Sequence, residues 1–318
     1  MTITGGELVR SLRKKLNLSQ EKFAEEVSIS TRQLSRIETG QADISILDIL
    51  DMMEVFNMPM ADLKMLYLES QELYWYRILS DAYKYRQNRD AAAFYETFSI
   101  LEGSPLWDSP YVQQIHAFVK LREAELLKTL ELESFNDPSR FNKDDVQRWQ
   151  DTISITIKDF DYEKVSEYLL TRDEVYTISG LCDALSCVGA HEKAISLAQS
   201  LINNKSVKAR FAMDSSDYLY AYAMFDLTHA YWMAGMYNEA FDMATKALRH
   251  CINENLLSSM CYINRQFAEA SKMLGEEESL YMPYFMRAYH LAVLTQNTHE
   301  IITIRKKVKD ICGISLVE

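Results

Sequence analysis

The segment LSQEKFAEEVSISTRQLSRIETG, residues 18–40, constrains the fold of this chain more than any other stretch. Two short helical patterns flank a tight turn, and each is preceded by a serine, Ser19 and Ser30, in the position of an N-cap. Gln33 follows Ser30 at the spacing of a capping box, and Gly40 stands where a left-handed residue would end the second helix. The spacing therefore predicts two short helices joined by a three-residue turn.

The apolar residues in and before this segment predict a small helical core. Leu8, Leu12 and Leu16 recur every four residues and predict a preceding helix over 6–16 with one buried stripe. Ala24 supplies the small side chain that two helices need where they cross at about 8–10 Å. The other residues expected to pack in this core are Phe23, Val27, Ile29, Leu34 and Ile37.

The third predicted helix, 31–39, carries a polar face suited to nucleic acid. The residues on that face are Thr31, Arg32, Ser35 and Arg36. A guanidinium can bond both acceptors of a guanine, and short hydroxyl side chains permit close approach to base edges. Gln20 stands at a helix N-terminus, where backbone N–H groups favour a phosphate. The remaining residues predicted to contact phosphates are Arg10, Lys14 and Lys15. Arg13 and Glu38 are instead predicted to form an internal ion pair between the first and third helices.

This pattern resembles the Xre/Cro/lambda-repressor helix-turn-helix family. The resemblance covers 18–40, including the turn spacing, Ala24 and the final Glu-x-Gly. It implies a five-helix DNA-binding domain that the sequence DISILDILDMMEVFNMPMADL, residues 43–63, completes. The core residues expected in that sequence are Ile46, Leu47, Ile49, Leu50 and Met53. The alternative is a domain of this fold that only dimerises or docks a partner.

Charge and composition limit the classes of protein that fit. The formal net charge of −12 argues against a protein that coats nucleic acid non-specifically, but residues 1–36 carry seven basic and four acidic residues, a net charge of +3. We expect a cytoplasmic protein because no apolar run resembles a signal peptide or a membrane span. Five scattered cysteines are expected to be reduced and mostly buried: Cys182, Cys187, Cys251, Cys261 and Cys312.

From Glu69 onward the chain predicts almost only helices, and two segments show the spacing of tetratricopeptide helix pairs. Their aligned residues are Leu181, Leu185, Gly189, Ala194 and Ala198 in the first and Leu227, Tyr231, Gly235, Ala240 and Ala244 in the second. These units start 46 residues apart, which predicts an irregular array. Gly235 is interpreted as a small residue at a helix contact, and Pro105, Pro110 and Pro138 as helix ends. A weaker copy includes Leu79, Tyr83 and Ala92.

Stacked helix pairs form a superhelix whose concave side suits an extended peptide. The positions predicted to point to that side are Tyr176, Ser179, Asp183, Tyr222, Phe225, Asp226, His229, Asn264 and Arg265. Tyrosines at helical spacing also suit a core, so each of these residues has a structural alternative. Aromatic rings beside polar groups nevertheless favour a short peptide bound by its backbone.

A helix-turn-helix segment followed by degenerate tetratricopeptide helices resembles the peptide-pheromone regulators of Gram-positive bacteria, the PlcR, Rgg and PrgX group. The resemblance implies an all-α protein with a DNA-binding domain and linker helix over 1–68 and a superhelical peptide-binding and dimerisation domain over 69–318. It implies a homodimer that binds operator DNA and is controlled by a short signalling peptide, in quorum sensing. The alternative is a repressor or adaptor whose helical array only dimerises or binds a protein partner.

The same resemblance implies asparagines that hold the peptide backbone. Asn264 is one candidate, and Asp226 stands where another is expected. An acidic residue there, within a helical region of net charge −10, favours a cationic peptide.

The sequence does not indicate an enzyme. No glycine-rich phosphate loop and no histidine or cysteine pattern with metal-ligand spacing is present. We therefore expect no catalytic residues, no metal, no cofactor and no membrane partner.

Overall fold

The structure, a computed structural model, describes residues 4–58, 91–104, 106–131, 138–213, 218–295 and 297–316. Within these ranges the regular elements are helices, and no strand occurs. The first five α-helices are α1 (Gly5–Lys15), α2 (Gln20–Glu26), α3 (Thr31–Glu38), α4 (Ile46–Val55) and α5 (Ala91–Leu101). The next five are α6 (Pro110–Glu131), α7 (Lys143–Ser154), α8 (Arg172–Cys187), α9 (His191–Asn203) and α10 (Lys205–Met213). The last five are α11 (Leu219–Met233), α12 (Tyr237–Asn253), α13 (Leu257–Met273), α14 (Glu278–Leu294) and α15 (Thr298–Cys312). Two short 3₁₀ turns cover Pro138–Arg140 and Tyr162–Lys164.

The chain divides into two compact units. The described part of the first contains 4–58 and 93–104, and the described part of the second contains 91–92 and the residues from 106 onward. The all-α fold class, a helix-turn-helix unit followed by helix pairs, is confirmed. The domain boundary predicted at residue 68 lies outside the described residues and stays a prediction.

The start and end signals of α2 and α3 are largely confirmed. The hydroxyls of Ser19 and Ser30 accept hydrogen bonds from the backbone N–H groups of Lys22 and Gln33. The capping box predicted at Ser30 is only half formed, because Gln33 makes no return bond to the Ser30 N–H. Gly40, at φ 71°, follows α3 in the left-handed conformation that its position predicts.

The core of the first unit lies between α1, α2, α3 and α4. Its buried residues are Leu8, Val9, Leu12, Phe23, Ala24, Leu34, Ile37, Ile49, Met52 and Met53. The predicted core residues Leu16, Val27 and Ile29 pack against it half-buried. Helices α1 and α3 approach closely at Gly6, where an added β-carbon would lie 1.9 Å from the carbonyl oxygen of Ile37. Only glycine fits there.

The prediction that Leu47 of α4 lies in the core is wrong. Leu47 is 68% exposed because Ile49, Met52 and Met53 occupy the core-facing side of the helix and Leu47 lies on the opposite side. Leu50 is half-buried, and the side chain of Ile46 lies outside the described part of the chain. The fifth predicted helix of this unit also falls outside the described residues.

The second unit is built from helices in two rows. Helices α6, α8, α11, α13 and α15 pack against one another in that order, and we call them the first-helix row. Helices α7, α9, α12 and α14 pack against this row. The helix pairs α8–α9 and α11–α12 are the two repeats predicted from the sequence. Helix α10 lies between them in the chain and accounts for their 46-residue offset.

Three sequence interpretations of this unit need correction. Gly235 is exposed, with φ 75° and nothing within 4 Å of an added β-carbon, so it is needed for a left-handed turn after α11 and not for a helix contact. Pro110 and Pro138 begin helical elements instead of ending them, because the first turn needs no N–H donor. Pro105, Leu79 and Tyr83 lie outside the described residues, and Ala92 lies in α5.

Candidate functional sites

The outer face of α3 presents the side chains that the sequence predicts for base contacts. Arg32 and Arg36 are exposed, and Thr31 and Ser35 are half-buried beside them. Among the residues that the structure describes, neither arginine forms an ion pair, so both guanidinium groups are available to an external acceptor. The predicted phosphate-contacting residues Arg10, Lys14 and Lys15 are exposed on α1.

A buried carboxylate holds α3 in place beneath this face. Glu38 is 6% exposed and accepts from Arg13 through Nε at 2.6 Å and Nη2 at 2.9 Å, which confirms the predicted ion pair. The Arg13 Nη1 group also donates to the carbonyl of Leu18 at 3.0 Å. Gln20 donates from Nε2 to Glu38 at 2.9 Å. This bond joins the start of α2 to the end of α3, and the phosphate contact proposed for Gln20 stays a prediction.

The Glu38 carboxylate is ionised despite its burial. Burial alone would raise its pKa, but the hydrogen bonds from Arg13 and Gln20 outweigh that effect and lower the pKa. Glu38 therefore places a fixed negative charge on α3, and this charge orients the side chains of Arg13 and Gln20. The guanidinium of Arg13 is correspondingly committed to the interior and is not part of the exposed basic face.

The structure brings the nine residues predicted for ligand binding together on the first-helix row. Tyr176, Ser179 and Asp183 lie on α8, and the other six are Tyr222, Phe225, Asp226 and His229 on α11 with Asn264 and Arg265 on α13. Between α8 and α11, the Ser179 hydroxyl donates to an Asp226 oxygen at 2.7 Å. This bond is buried, since Ser179 is 2% exposed and Asp226 is 6% exposed.

A charged cluster lies about one turn further along the same helices. Arg140 donates through Nη2 to both oxygens of Asp183 at 2.6 Å, and His229 Nε2 lies 3.1 Å from Asp183 Oδ1. Burial opposes ionisation of Asp183, but the Arg140 charge and the His229 hydrogen bond hold its pKa well below the ordinary value. Burial lowers the pKa of His229, so the neutral ring donates from Nε2 to the Asp183 carboxylate.

Asp226 behaves in the opposite way to Asp183. Burial, together with the negative charge of Asp183, raises the pKa of Asp226 to about 8, although the Ser179 bond opposes the shift. The carboxyl group therefore holds a proton at neutral pH. This finding counts against the expectation that Asp226 attracts a cationic peptide.

Aromatic rings form a continuous series beside these polar groups. Tyr176 contacts Tyr222 edge to face with centroids 5.3 Å apart, and Tyr222 stacks on Phe225 at 5.8 Å. Phe225 in turn meets Tyr262 of α13 edge to face at 5.6 Å. Tyr176, Tyr222, Phe225 and Tyr262 are all half-buried, so part of each ring remains accessible. Such rings can stack on or pack against a ligand without rearrangement of the core.

Buried charged residues join α13 to α15 at the far end of the first-helix row. Arg265 donates to Glu269 at 2.7 Å within α13 and to Glu300 of α15 at 3.0 Å. Lys307 of α15 is fully buried and donates to Glu269 at 3.2 Å. Asn264 is 1% exposed, and its amide donates to the Met260 carbonyl at 2.6 Å. Asn264 and Arg265 are therefore already engaged within the protein, and their contacts with a ligand stay predictions.

Known proteins show similarities to both parts of the chain. Residues 9–63 match the model of the helix-turn-helix family. The N-terminal unit contains a helix-turn-helix domain. Within this helix-turn-helix domain, α2 and α3 form the motif and α3 takes the place of the recognition helix. A sequence search of curated proteins gives no match.

Solved structures resemble the helix-turn-helix domain and the helix pairs together. PlcR of Bacillus thuringiensis, in complex with the peptide PapR7 and DNA, is 14% identical with a TM-score of 0.66, covering 94% of this chain and 98% of PlcR. ComR from S. thermophilus, in complex with DNA and its signalling peptide ComS, is 13% identical with a TM-score of 0.58, covering 98% and 100%. The Streptococcus dysgalactiae SHP pheromone receptor Rgg2 is 12% identical with a TM-score of 0.55, covering 96% and 99%. At these identities the comparison shows a shared fold.

Several residues on or beside the first-helix row have roles that sequence reasoning missed. These residues are Arg122, Arg140, Tyr262, Gln266, Glu269, Glu300 and Lys307. The Arg265–Glu269 pair has i,i+4 spacing and was visible in the sequence. The other long-range partners had no local signal, because 35 to 43 residues separate Arg265 from Glu300, Lys307 from Glu269 and Arg140 from Asp183.

The described residues contain neither a membrane-spanning helix nor a metal-binding cluster. No helix there is long and apolar enough to cross a membrane. No group of three or more histidine, cysteine, aspartate or glutamate side chains is arranged to hold a metal ion in the same part of the chain.

Proposed function

We propose that this protein is a cytoplasmic, sequence-specific transcriptional regulator whose DNA binding is controlled by a short signalling peptide. The observation that carries the proposal is the presence, in one chain, of an exposed arginine-bearing α3 and a first-helix row that gathers half-buried rings and buried polar groups. Support also comes from the fold shared with PlcR and ComR, whose structures contain both DNA and a peptide.

The DNA-binding half of the proposal assigns α3 to the major groove. Arg32 and Arg36 contact base edges there, with Thr31 and Ser35 close to the same bases. Arg10, Lys14 and Lys15 on α1, with Gln20 at the start of α2, contact phosphates on either side. One domain of this size makes few base contacts, so we propose a homodimer that reads two half-sites.

The peptide-binding half assigns the ligand to α8, α11 and α13. Tyr176, Tyr222 and Phe225 present ring surface to apolar side chains, and the polar groups of the row bond the peptide backbone. The nine predicted residues are candidates for this surface, and residues 69–318 are proposed as the domain that carries it. Peptide and DNA affinities are coupled, so each ligand changes the affinity for the other by the same factor.

Selection from random duplex DNA, at stated salt concentration, tests the first half. Enrichment of an inverted repeat supports a dimeric sequence reader, whereas equal retention of all sequences contradicts it. The selection is repeated with the peptide fraction of culture medium from the source organism. A change in operator affinity caused by that fraction supports control by a peptide.

A paired substitution tests the ligand surface. Tyr222→Ala with Phe225→Ala should remove the response to the peptide fraction and leave operator binding unchanged. The circular dichroism spectrum and Tm of this variant serve as its folding control. An unchanged response places the ligand elsewhere.

A second candidate function remains, a repressor or adaptor whose helical array only dimerises or binds a protein partner. The interior engagement of Asn264 and Arg265 is the observation that favours it. Operator binding that no peptide fraction alters, in a protein that is dimeric in solution, would support this candidate.

A further inference from the structure

Asp226 carries a hydrogen-bonding group that the fold leaves unused. One carboxyl oxygen accepts from Ser179 at 2.7 Å. The other, Oδ2, is buried and has no hydrogen-bond partner among the residues that the structure describes. A buried polar group without a hydrogen-bond partner is unfavourable, and such groups are few in folded proteins.

The surroundings of Asp226 favour a proton on its free oxygen. The groups that interact with it electrostatically are Asp183 on α8 and Arg122 on α6, and Cys182 on α8 also faces it. Asp183 is ionised and bound to Arg140 and His229, so a second negative charge beside it is unfavourable. Arg122 attracts negative charge, but its own guanidinium is paired with Glu125 at 2.7 Å.

The other helices packed on α11 do not reverse this balance. From α13, the charges of Arg265 and Glu269 are paired with each other at 2.7 Å and are not among the groups that shift Asp226. In the described residues, α9, α10 and α12 contribute no charged group to these interactions. Burial therefore dominates and raises the pKa of Asp226 to about 8.

Asp226 is buried one turn from two half-buried residues of the first-helix row, so a ligand must displace the side chains that cover its free oxygen to reach it. Tyr222 precedes it and His229 follows it by about one turn on the same side of α11. Tyr222 and His229 are half-buried, and the side chain of Asp183 is 20% exposed, so solvent reaches the edge of this polar cluster.

We propose that Asp226 is a specificity-determining residue that binds the ligand in its protonated form, donating a hydrogen bond from its free oxygen to a neutral acceptor such as a peptide carbonyl. The site then selects a carbonyl and rejects a cation at this point. This inference rests on the proposed peptide-binding function and specifies the chemistry of one contact in it. Ionisation of Asp226 replaces the donor by an acceptor and weakens binding.

The first experiment measures the protonation of Asp226 in the absence of any peptide. Carboxyl ¹³C resonances of aspartate-labelled full-length protein are titrated by NMR in the wild type and in Asp226→Asn. The wild type should show one aspartate that titrates near pH 8, and Asp226→Asn should lack it. Ser179→Ala should move that titration upward, since it removes a hydrogen bond that favours the ionised form. An Asp226 resonance that titrates below pH 5 overturns the inference.

The hydrogen bond is then tested with a random heptapeptide library selected on the wild type at pH 7. The affinity of the selected peptides should fall about tenfold between pH 7 and pH 9, as expected for loss of one required proton with a pKa of about 8. Asp226→Asn keeps a donor at the same place, so it should bind within about threefold of the wild type, with no fall over this range. Asp226→Leu should lose binding at both pH values.

The outcomes separate this inference from the function on which it rests. Selection of peptides whose binding needs a lysine, arginine or free α-amino group, together with loss of binding in Asp226→Asn, overturns the inference alone. An equal fall with pH in the wild type and Asp226→Asn also overturns it. No peptide bound by the wild type contradicts the proposed function, and the inference about a ligand falls with it.

Discussion

Gly180 and Trp149 lie so close that a β-carbon on Gly180 would be 2.4 Å from Cη2 of the indole ring. Trp149 is buried on α7, and Gly180 lies on α8 immediately after Ser179. This contact sets the distance between α7 and α8. It thereby also sets the position of the α8 side chains that meet α11.

Gly180→Ala should therefore destabilise the protein by about 1–3 kcal/mol, because the aromatic ring must shift to admit a methyl group. Urea unfolding measures this change. Gly103→Ala is the matched control, since nothing lies within 4 Å of its added β-carbon. Equal stability of the two variants would show that α7 and α8 can separate without cost.

Arg36→Ala should weaken binding to the selected operator by about 1–3 kcal/mol if Arg36 contacts a base, with a smaller effect on unrelated DNA. Fluorescence anisotropy at fixed salt measures both affinities. Lys22→Ala is the matched control, since Lys22 is exposed on α2 near Glu25 and Glu26. An equal loss of affinity on all DNA sequences would show that Arg36 contacts a phosphate and not a base.

Glu38→Gln should cost about 2 kcal/mol at pH 7, the scale of hydrogen bonds to a charged group. The folded-state pKa of Glu38 is lowered, so its stabilisation is present above the unfolded-state pKa and is lost as pH falls through the folded-state value. The difference in unfolding free energy between wild type and variant should consequently shrink below about pH 4.5. A difference that stays constant from pH 7 to pH 3 would contradict this linkage.

Lys307→Met should destabilise the protein by about 3–5 kcal/mol, because it removes a buried partner of Glu269. Glu269 keeps Arg265, but that guanidinium is shared with Glu300. The double variant Lys307→Met/Glu269→Met should recover part of the loss, and a thermodynamic cycle measures the coupling. Strict additivity of the two changes would mean that the pair is not coupled.

The thiol groups should differ sharply in reactivity. Cys182, Cys187, Cys251 and Cys261 are buried, and burial raises the pKa of Cys187 to about 12 and of Cys251 to about 11. Only Cys312 is half-buried. The native protein should therefore expose one slowly reacting thiol to Ellman's reagent and five after denaturation. Cys312→Ser should abolish the native signal, and rapid reaction of a second thiol would contradict this assignment.

Features that depend on neighbours a few residues away could be predicted from the sequence. Ser19 and Ser30 cap α2 and α3, and Gly40 ends α3, because capping bonds join residues three or four positions apart. Helical period placed the buried leucines of α1 and identified the two helix pairs. The same local reasoning failed at Leu47 and Gly235, where the orientation of the whole helix and a turn conformation decided the outcome.

The chemistry of the first-helix row depends on contacts that exist only in the folded protein. Asp183 and Asp226 are both aspartates one turn from a polar neighbour, yet one is ionised and the other holds a proton. The difference arises because Arg140, 43 residues distant in sequence, reaches Asp183 and leaves Asp226 with Ser179 alone. The pKa of a buried carboxyl group depends on its burial and on the charges of every helix around it. The helical period of the sequence does not show which distant helices those are.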